Sequence, residues 1–129
     1  MKVYAMKSIL FALSLSLSAI AAHAEDMRLL MFEEPGCYWC GKWNAQIGDI
    51  YPKTAEGRTA PLERIQLRNG IPSDAKLKSR PQYTPTFVVV RAGIEIGRIE
   101  GYPGEDFFWG LLNQILETTP EYIQEKNAS

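Results

Sequence analysis

The chain has few of the side chains that most enzymes use for chemistry. Its 129 residues contain one histidine, His23, and two cysteines, Cys37 and Cys40. His23 lies in an N-terminal stretch that reads as an export signal, so the remainder holds no imidazole. That excludes a Ser-His-Asp triad, a Cys-His pair and any histidine-ligated metal site. Excess positive charge is missing too. Beyond residue 24 there are 12 basic residues against 15 acidic ones, because only Lys2 and Lys7 come earlier. With no basic stripe to track a phosphate backbone, nucleic acid is not an expected partner. After the N-terminus no apolar run approaches the roughly 20 residues that span a bilayer. Internal repeats and low-complexity segments are also lacking.

The N-terminus has three parts. Met1, Lys2 and Lys7 make a positive start. Residues 9–20 are mostly apolar, with Ser14, Ser16 and Ser18 interleaved, and Ala22-His23-Ala24 puts small residues where a signal peptidase reads. This pattern predicts a cleavable signal peptide over 1–24 and one domain over 25–129. An uncleaved anchor is the competing reading, and an apolar stretch of about 12 residues is short for it. Export predicts a compartment in which disulfides persist. The brevity of the signal, without an extended basic region, points to the periplasm.

The domain is short enough to bury one core but not two. Residues 27–32, Met-Arg-Leu-Leu-Met-Phe, form an apolar run that stops at Glu33-Glu34-Pro35-Gly36, which predicts a strand buried on both faces. From Cys37 the period changes. Cys40, Trp43, Asn44 and Ile47 recur every three or four residues, as on a helix face, with Gly48 as a stop. Residues 50–60 are ambiguous, Gly57 weakening a helical reading. Residues 62–67, between Pro61 and Asn69-Gly70, suit a short strand, and 71–80 a turn or two of helix. Thr86 to Arg91 is rich in β-branched residues and is the clearest strand. Ala92-Gly93 turns it into a hairpin, with Ile94 and Ile96 inward and Glu95 and Gly97 outward. Asp106 is expected to cap a helix bearing Phe107, Phe108, Leu111, Leu112, Ile115 and Leu116. Pro120 bars its continuation, and residues 126–129 are expected to fray. A sheet covered by helices on both faces satisfies this order.

Cys37-Tyr38-Trp39-Cys40 carries the chemistry. A structural disulfide across so small a ring removes little unfolded-state entropy. Zinc wants four ligands, and two thiolates do not supply them. A redox pair fits better, because the N–H groups and field at a helix start stabilise a thiolate at Cys37. Cys40, one turn further in, would be shielded and would resolve the mixed disulfide. Glu33 and Glu34 would oppose the thiolate by like charge, or else point to solvent. Tyr38 and Trp39 could rim the site for a partner peptide, and Trp43 reads as half-buried core. Tyr83-Thr84-Pro85-Thr86 precedes the valine-rich strand. Pro85 is either a tolerated strand start or a cis proline that frees the Thr84 backbone for an extended substrate.

A strand, a CxxC at a helix start, Thr-Pro-Thr, a hairpin and a final amphipathic helix together resemble the thioredoxin superfamily over nearly all of 25–129. The resemblance implies an α/β class, a reduced thioredoxin-like fold with a central mixed sheet and flanking helices. It implies Cys37 as nucleophile, Cys40 as resolving cysteine, Pro85 as the cis proline, Thr84 as the backbone that binds substrate, and Gly101 beside the active site. No cofactor or metal is implied. Three features depart from the family pattern. Tyr38-Trp39 replaces Gly-Pro. The usual leading strand and helix are missing or reduced. The buried acid that assists the resolving cysteine lacks an obvious counterpart, only Glu25 and Asp26 being near, so proton transfer to Cys40 would use water or Glu33.

More narrowly, the signal, the short domain and Glu-Glu-Pro-Gly-Cys-Tyr-Trp-Cys over 33–40 resemble the periplasmic thioredoxins of bacterial sulfur oxidation. This implies a reductant acting on a protein with a disulfide or modified cysteine, the SoxYZ sulfur carrier, with a membrane thiol transporter as electron donor. Three other readings stay open: an oxidase or isomerase for folding proteins, a binding module with an inert disulfide, and a Cu(I) carrier using the thiolate pair.

Overall fold

The computed structural model describes residues 26–129; the expected export signal over 1–24 lies outside the described residues. Four strands form one sheet in the order β2-β1-β3-β4: β1 (Met27–Glu33), β2 (Leu62–Gln66), β3 (Thr86–Arg91) and β4 (Ile94–Glu100). β1 runs parallel to β2 and antiparallel to β3, and β4 is antiparallel to β3, so the sheet is mixed. A parallel pair needs a long crossover. Two short helices supply it, α1 (Tyr38–Trp43) and α2 (Ala55–Thr59), joined through a π turn at Asn44–Gly48 and a 3₁₀ turn at Tyr51–Lys53. Two more helices close the chain, α3 (Glu105–Leu116) and α4 (Pro120–Ala128).

β1 is buried on both faces, as its apolar run predicts. Met27, Leu29 and Met31 face one core with Phe87 and Val89, while Leu30 and Phe32 face another with Val88 and Val90. The first core takes in α1 through Trp43, α3 through Phe108, Leu112 and Leu116, and α4 through Tyr122. The second is covered not by an α-helix but by the 67–77 segment, a 3₁₀ turn at Leu67–Asn69 followed by irregular chain, through Leu67, Ala75 and Leu77. The helical turns expected over 71–80 are therefore absent. That stretch lies along the sheet edge instead, with Lys76 bridged to Ile94.

Other expectations also change. Ile94 is exposed and Glu95 buried, the reverse of the alternation. A register shift opposite Val89 and Val90 pairs them with Gly97 and Glu95, which leaves Ile96 as the extra residue. Glu95 stays buried because Arg98 donates to it at 2.6 and 2.8 Å and the Lys78 N–H at 2.7 Å. Gly97 faces α3, where an added Cβ would lie 2.7 Å from Ile115. Asp106 is not a cap: Gly104 holds that place, and Glu105 and Asp106 lie in the first turn of α3. Pro120 stops one helix and also opens the next, as proline can at a first helical position. Residues 126–128 are thus helical.

Candidate active site

The strand directions bring three loops to one end of the sheet. β1 ends there, β3 begins there opposite it with Thr86 paired to Phe32, and β4 ends there with Glu100 paired to Thr86. The loop after β1 carries Cys37, the loop before β3 carries Thr84 and Pro85, and the residue after β4 is Gly101.

Cys37 is the N-cap of α1, and Cys40 lies inside the helix. The two sulfurs form a disulfide, with Cα atoms 5.3 Å apart. The Cys40 backbone N–H donates to Cys37 Sγ at 3.1 Å. Cys37 is half-buried, while Cys40 is only 5% exposed and packs into the first core. Cys37 is thus the more accessible residue of the pair, although it too touches the first core, and Cys40 the sheltered one.

The Thr84–Pro85 peptide is cis. Thr86 Oγ1 donates to the Tyr83 carbonyl at 2.7 Å, and the Gly101 N–H donates to the Pro85 carbonyl at 2.7 Å. The first bond closes the proline loop on itself, and the second ties it to the end of β4. Tyr38 and Trp39 stand 66% and 52% exposed, ring centroids 5.0 Å apart in an edge-to-face pair. Trp43 is fully buried rather than half-buried, among Tyr51, Phe87 and Phe108.

Several site neighbours escape the sequence reading. Arg64 of β2 donates to Glu33 at 2.6 Å and to Asn44 at 2.7 Å, approaches the sulfur of Met31 at 3.7 Å, and lies 5.8 Å from the centroid of Trp43. The π turn after α1 carries Asn44 and Gln46, and Gln46 accepts from the Tyr102 hydroxyl at 2.6 Å. Burial raises the Tyr102 pKa, with Glu105 adding to it, so that hydroxyl keeps its proton. Tyr83 stands 65% exposed beside Thr84. Tyr83 belongs to a motif visible in the sequence, but the partners of Arg64 and Gln46 are remote in sequence, so no local motif reveals them.

Among the described residues no acid sits behind Cys40. The buried polar side chains are Thr86, Glu95 and Thr119, and Glu95 lies on the far face of β4 with Arg98. Asp26 is at the opposite end of β1 and its side chain is exposed. Glu33 is engaged by Arg64. Nor does any group of three or more His, Cys, Asp or Glu among these residues surround a metal position.

A disulfide at the start of a helix, at the end of the central strand of a mixed sheet, defines a thiol–disulfide oxidoreductase of thioredoxin type. No protein-family model matches the chain, and no curated protein does. Among solved structures it is similar to the reduced periplasmic thioredoxin SoxS from Paracoccus pantotrophus, with 49% identity over 70% of this chain and 96% of that one and a TM-score of 0.69. The thioredoxin Mala s 13 of Malassezia sympodialis shares the fold at 16% identity and a TM-score of 0.51, covering 70% of this chain and 78% of that one. The chain belongs to the thioredoxin family.

Proposed function

We propose that the chain is a periplasmic reductant of protein disulfides, exported by residues 1–24, with the SoxYZ sulfur carrier as its partner. The observation that carries the reading is the unequal shelter of the two cysteines, Cys37 half-buried at the helix start and Cys40 buried behind it. Likeness to a periplasmic thioredoxin supports the compartment. The resemblance of residues 33–40 to thioredoxins of sulfur oxidation supports the partner.

In the reduced protein the Cys37 thiolate attacks one sulfur of the partner's disulfide. A Cys37–partner disulfide forms and the other partner sulfur leaves as a thiolate. The Cys40 thiolate then attacks Cys37 Sγ, closing the internal disulfide and releasing the second partner thiolate. Two electrons pass to the partner, and a dithiol donor must return them; a membrane thiol transporter fits that need. The Thr84 backbone pairs with the extended partner segment, with Tyr38, Trp39 and Gly101 around it.

Replacing Cys40 with Ser tests the reading. The variant should accumulate a mixed disulfide with SoxYZ through Cys37, and Cys37→Ser should accumulate none. Equal trapping by Cys37→Ser overturns the assignment of the two roles, and trapping by Cys37→Ser alone reverses them. A reduction potential near that of thioredoxin, about −270 mV, supports a reductant, and one near −120 mV supports an oxidase for folding proteins.

A further inference from the structure

Glu34 lies exposed on the turn that leads into Cys37, yet its side chain is engaged. Its Oε2 accepts a hydrogen bond from Thr84 Oγ1 at 2.8 Å, across 50 residues of sequence. The bond links the loop before the nucleophile to the loop that holds the cis proline. Glu33, one residue earlier, is drawn the other way, through Arg64 to β2 and to Asn44 just beyond α1. Two consecutive carboxylates therefore brace the Cys37 loop from both sides. Neither merely points to solvent. Thr84 spends its hydroxyl on Glu34, and among the described residues its backbone N–H and C=O have no partner.

Resting on the function proposed above, we infer that Glu34 is a positioning residue for exchange with protein disulfides. Its bond to Thr84 sets the distance between the Cys37 sulfur and the Thr84 backbone. A partner segment paired with that backbone then presents its disulfide within reach of Cys37. Loss of the bond lets the two loops drift apart, and a misplacement of about 1 Å costs a bound reaction up to about 100-fold. A small aromatic disulfide has no peptide to lay along Thr84, so its reaction reports the Cys37 sulfur alone.

The test compares insulin with Ellman's reagent as substrates for the full reduced protein in single-turnover reactions. In Glu34→Ala the ratio of the insulin rate to the Ellman rate should fall about tenfold, mostly through a lower rate constant for bound insulin rather than weaker binding. Glu34→Gln keeps an acceptor oxygen and should restore most of the ratio. Thr84→Val removes the donor and keeps the shape. Its loss should match that of Glu34→Ala, and the double variant should lose no more than either single one. The inference is overturned if both substrates slow equally, if Gln does not rescue, or if the two losses multiply. If the unaltered protein reduces neither substrate, the proposed function fails first and this inference with it.

Discussion

The Cys40 backbone N–H points at the sulfur of Cys37, 3.1 Å away. When the disulfide opens, that donor is already aimed at the atom that will carry negative charge. Hydrogen bonding to the charged form lowers a thiol's pKa, and the start of a helix adds to the effect. In the reduced protein Cys37 should react with iodoacetamide with a midpoint clearly below the free-thiol value of about 8.5. Cys40, buried, should stay unmodified until the protein unfolds. Mass spectrometry of peptides alkylated across a pH series reads both. A midpoint at or above the free-thiol value, or modification of Cys40 first, contradicts the arrangement.

The parts of the site written in contiguous residues were legible in the sequence. Cys37 to Cys40 announce a helix start after a strand, and Thr84-Pro85 announces a bend before one. The parts that join distant residues were not. Arg64 reaches Glu33 and Asn44, and Glu34 reaches Thr84, through side-chain choices that no spacing rule encodes. β4 shows the same limit in the fold. Period-two reading places Ile94 inward, but one extra residue opposite Val89 and Val90 reverses the assignment, and only the partner strand reveals the bulge. Pro120 signals an end because proline bars a helix from continuing through it, yet the same residue starts α4. Apolar strands need a cover, which points to a helix on the second face of the sheet, but a 3₁₀ turn and irregular chain meet that need as well.

Gly57 reads in the sequence as a residue that weakens a helix, and the structure shows another purpose. It sits inside α2, where a Cβ would lie 1.9 Å from the Tyr51 carbonyl oxygen. Backbone stands in that place and cannot swing aside. Gly57→Ala should cost about 3 kcal/mol, through overpacking. Gly110, in α3, has nothing within 4 Å of an added Cβ. Gly110→Ala should gain about 0.7 kcal/mol from reduced chain entropy. Urea unfolding of the two variants measures opposite shifts; equal shifts would refute the packing account.

Trp43 joins the helix that carries the cysteines to the rest of the core. Its ring lies 5.3 Å from Phe87 and 5.8 Å from Phe108, centroid to centroid, and no polar partner meets its indole nitrogen among the described residues. Trp43→Ala should cost about 4 kcal/mol, the usual range for emptying such a site. Trp43→Phe keeps much of the volume and discards the unpaired N–H, so its loss should be less than half as large. Denaturant midpoints separate the two. Comparable losses would mean that the indole edge has a role beyond filling space.

Glu95 should shape the acid limit of stability. Burial alone would raise its pKa, but hydrogen bonds from Arg98 and the Lys78 N–H, with the charges of both residues, outweigh burial and lower it. A carboxylate whose pKa is depressed by folding adds stability above its unfolded value, about 4.3. It loses that contribution as pH falls through the lower folded value. Glu56 acts in the same direction: burial would raise its pKa, and bonds led by the Tyr122 hydroxyl, 2.7 Å away, bring it down. Unfolding free energy should therefore fall steeply below about pH 4.3. Glu95→Gln should flatten that limb. At neutral pH it should also cost about 2 kcal/mol, because Arg98 would lose its main counter-charge and keep one amide oxygen at position 95, the Ser79 carbonyl and the more distant Glu100. Urea unfolding at pH 7 and across pH 3 to 5 measures both effects, and an unchanged acid slope in the variant would show that Glu95 is not the group being titrated.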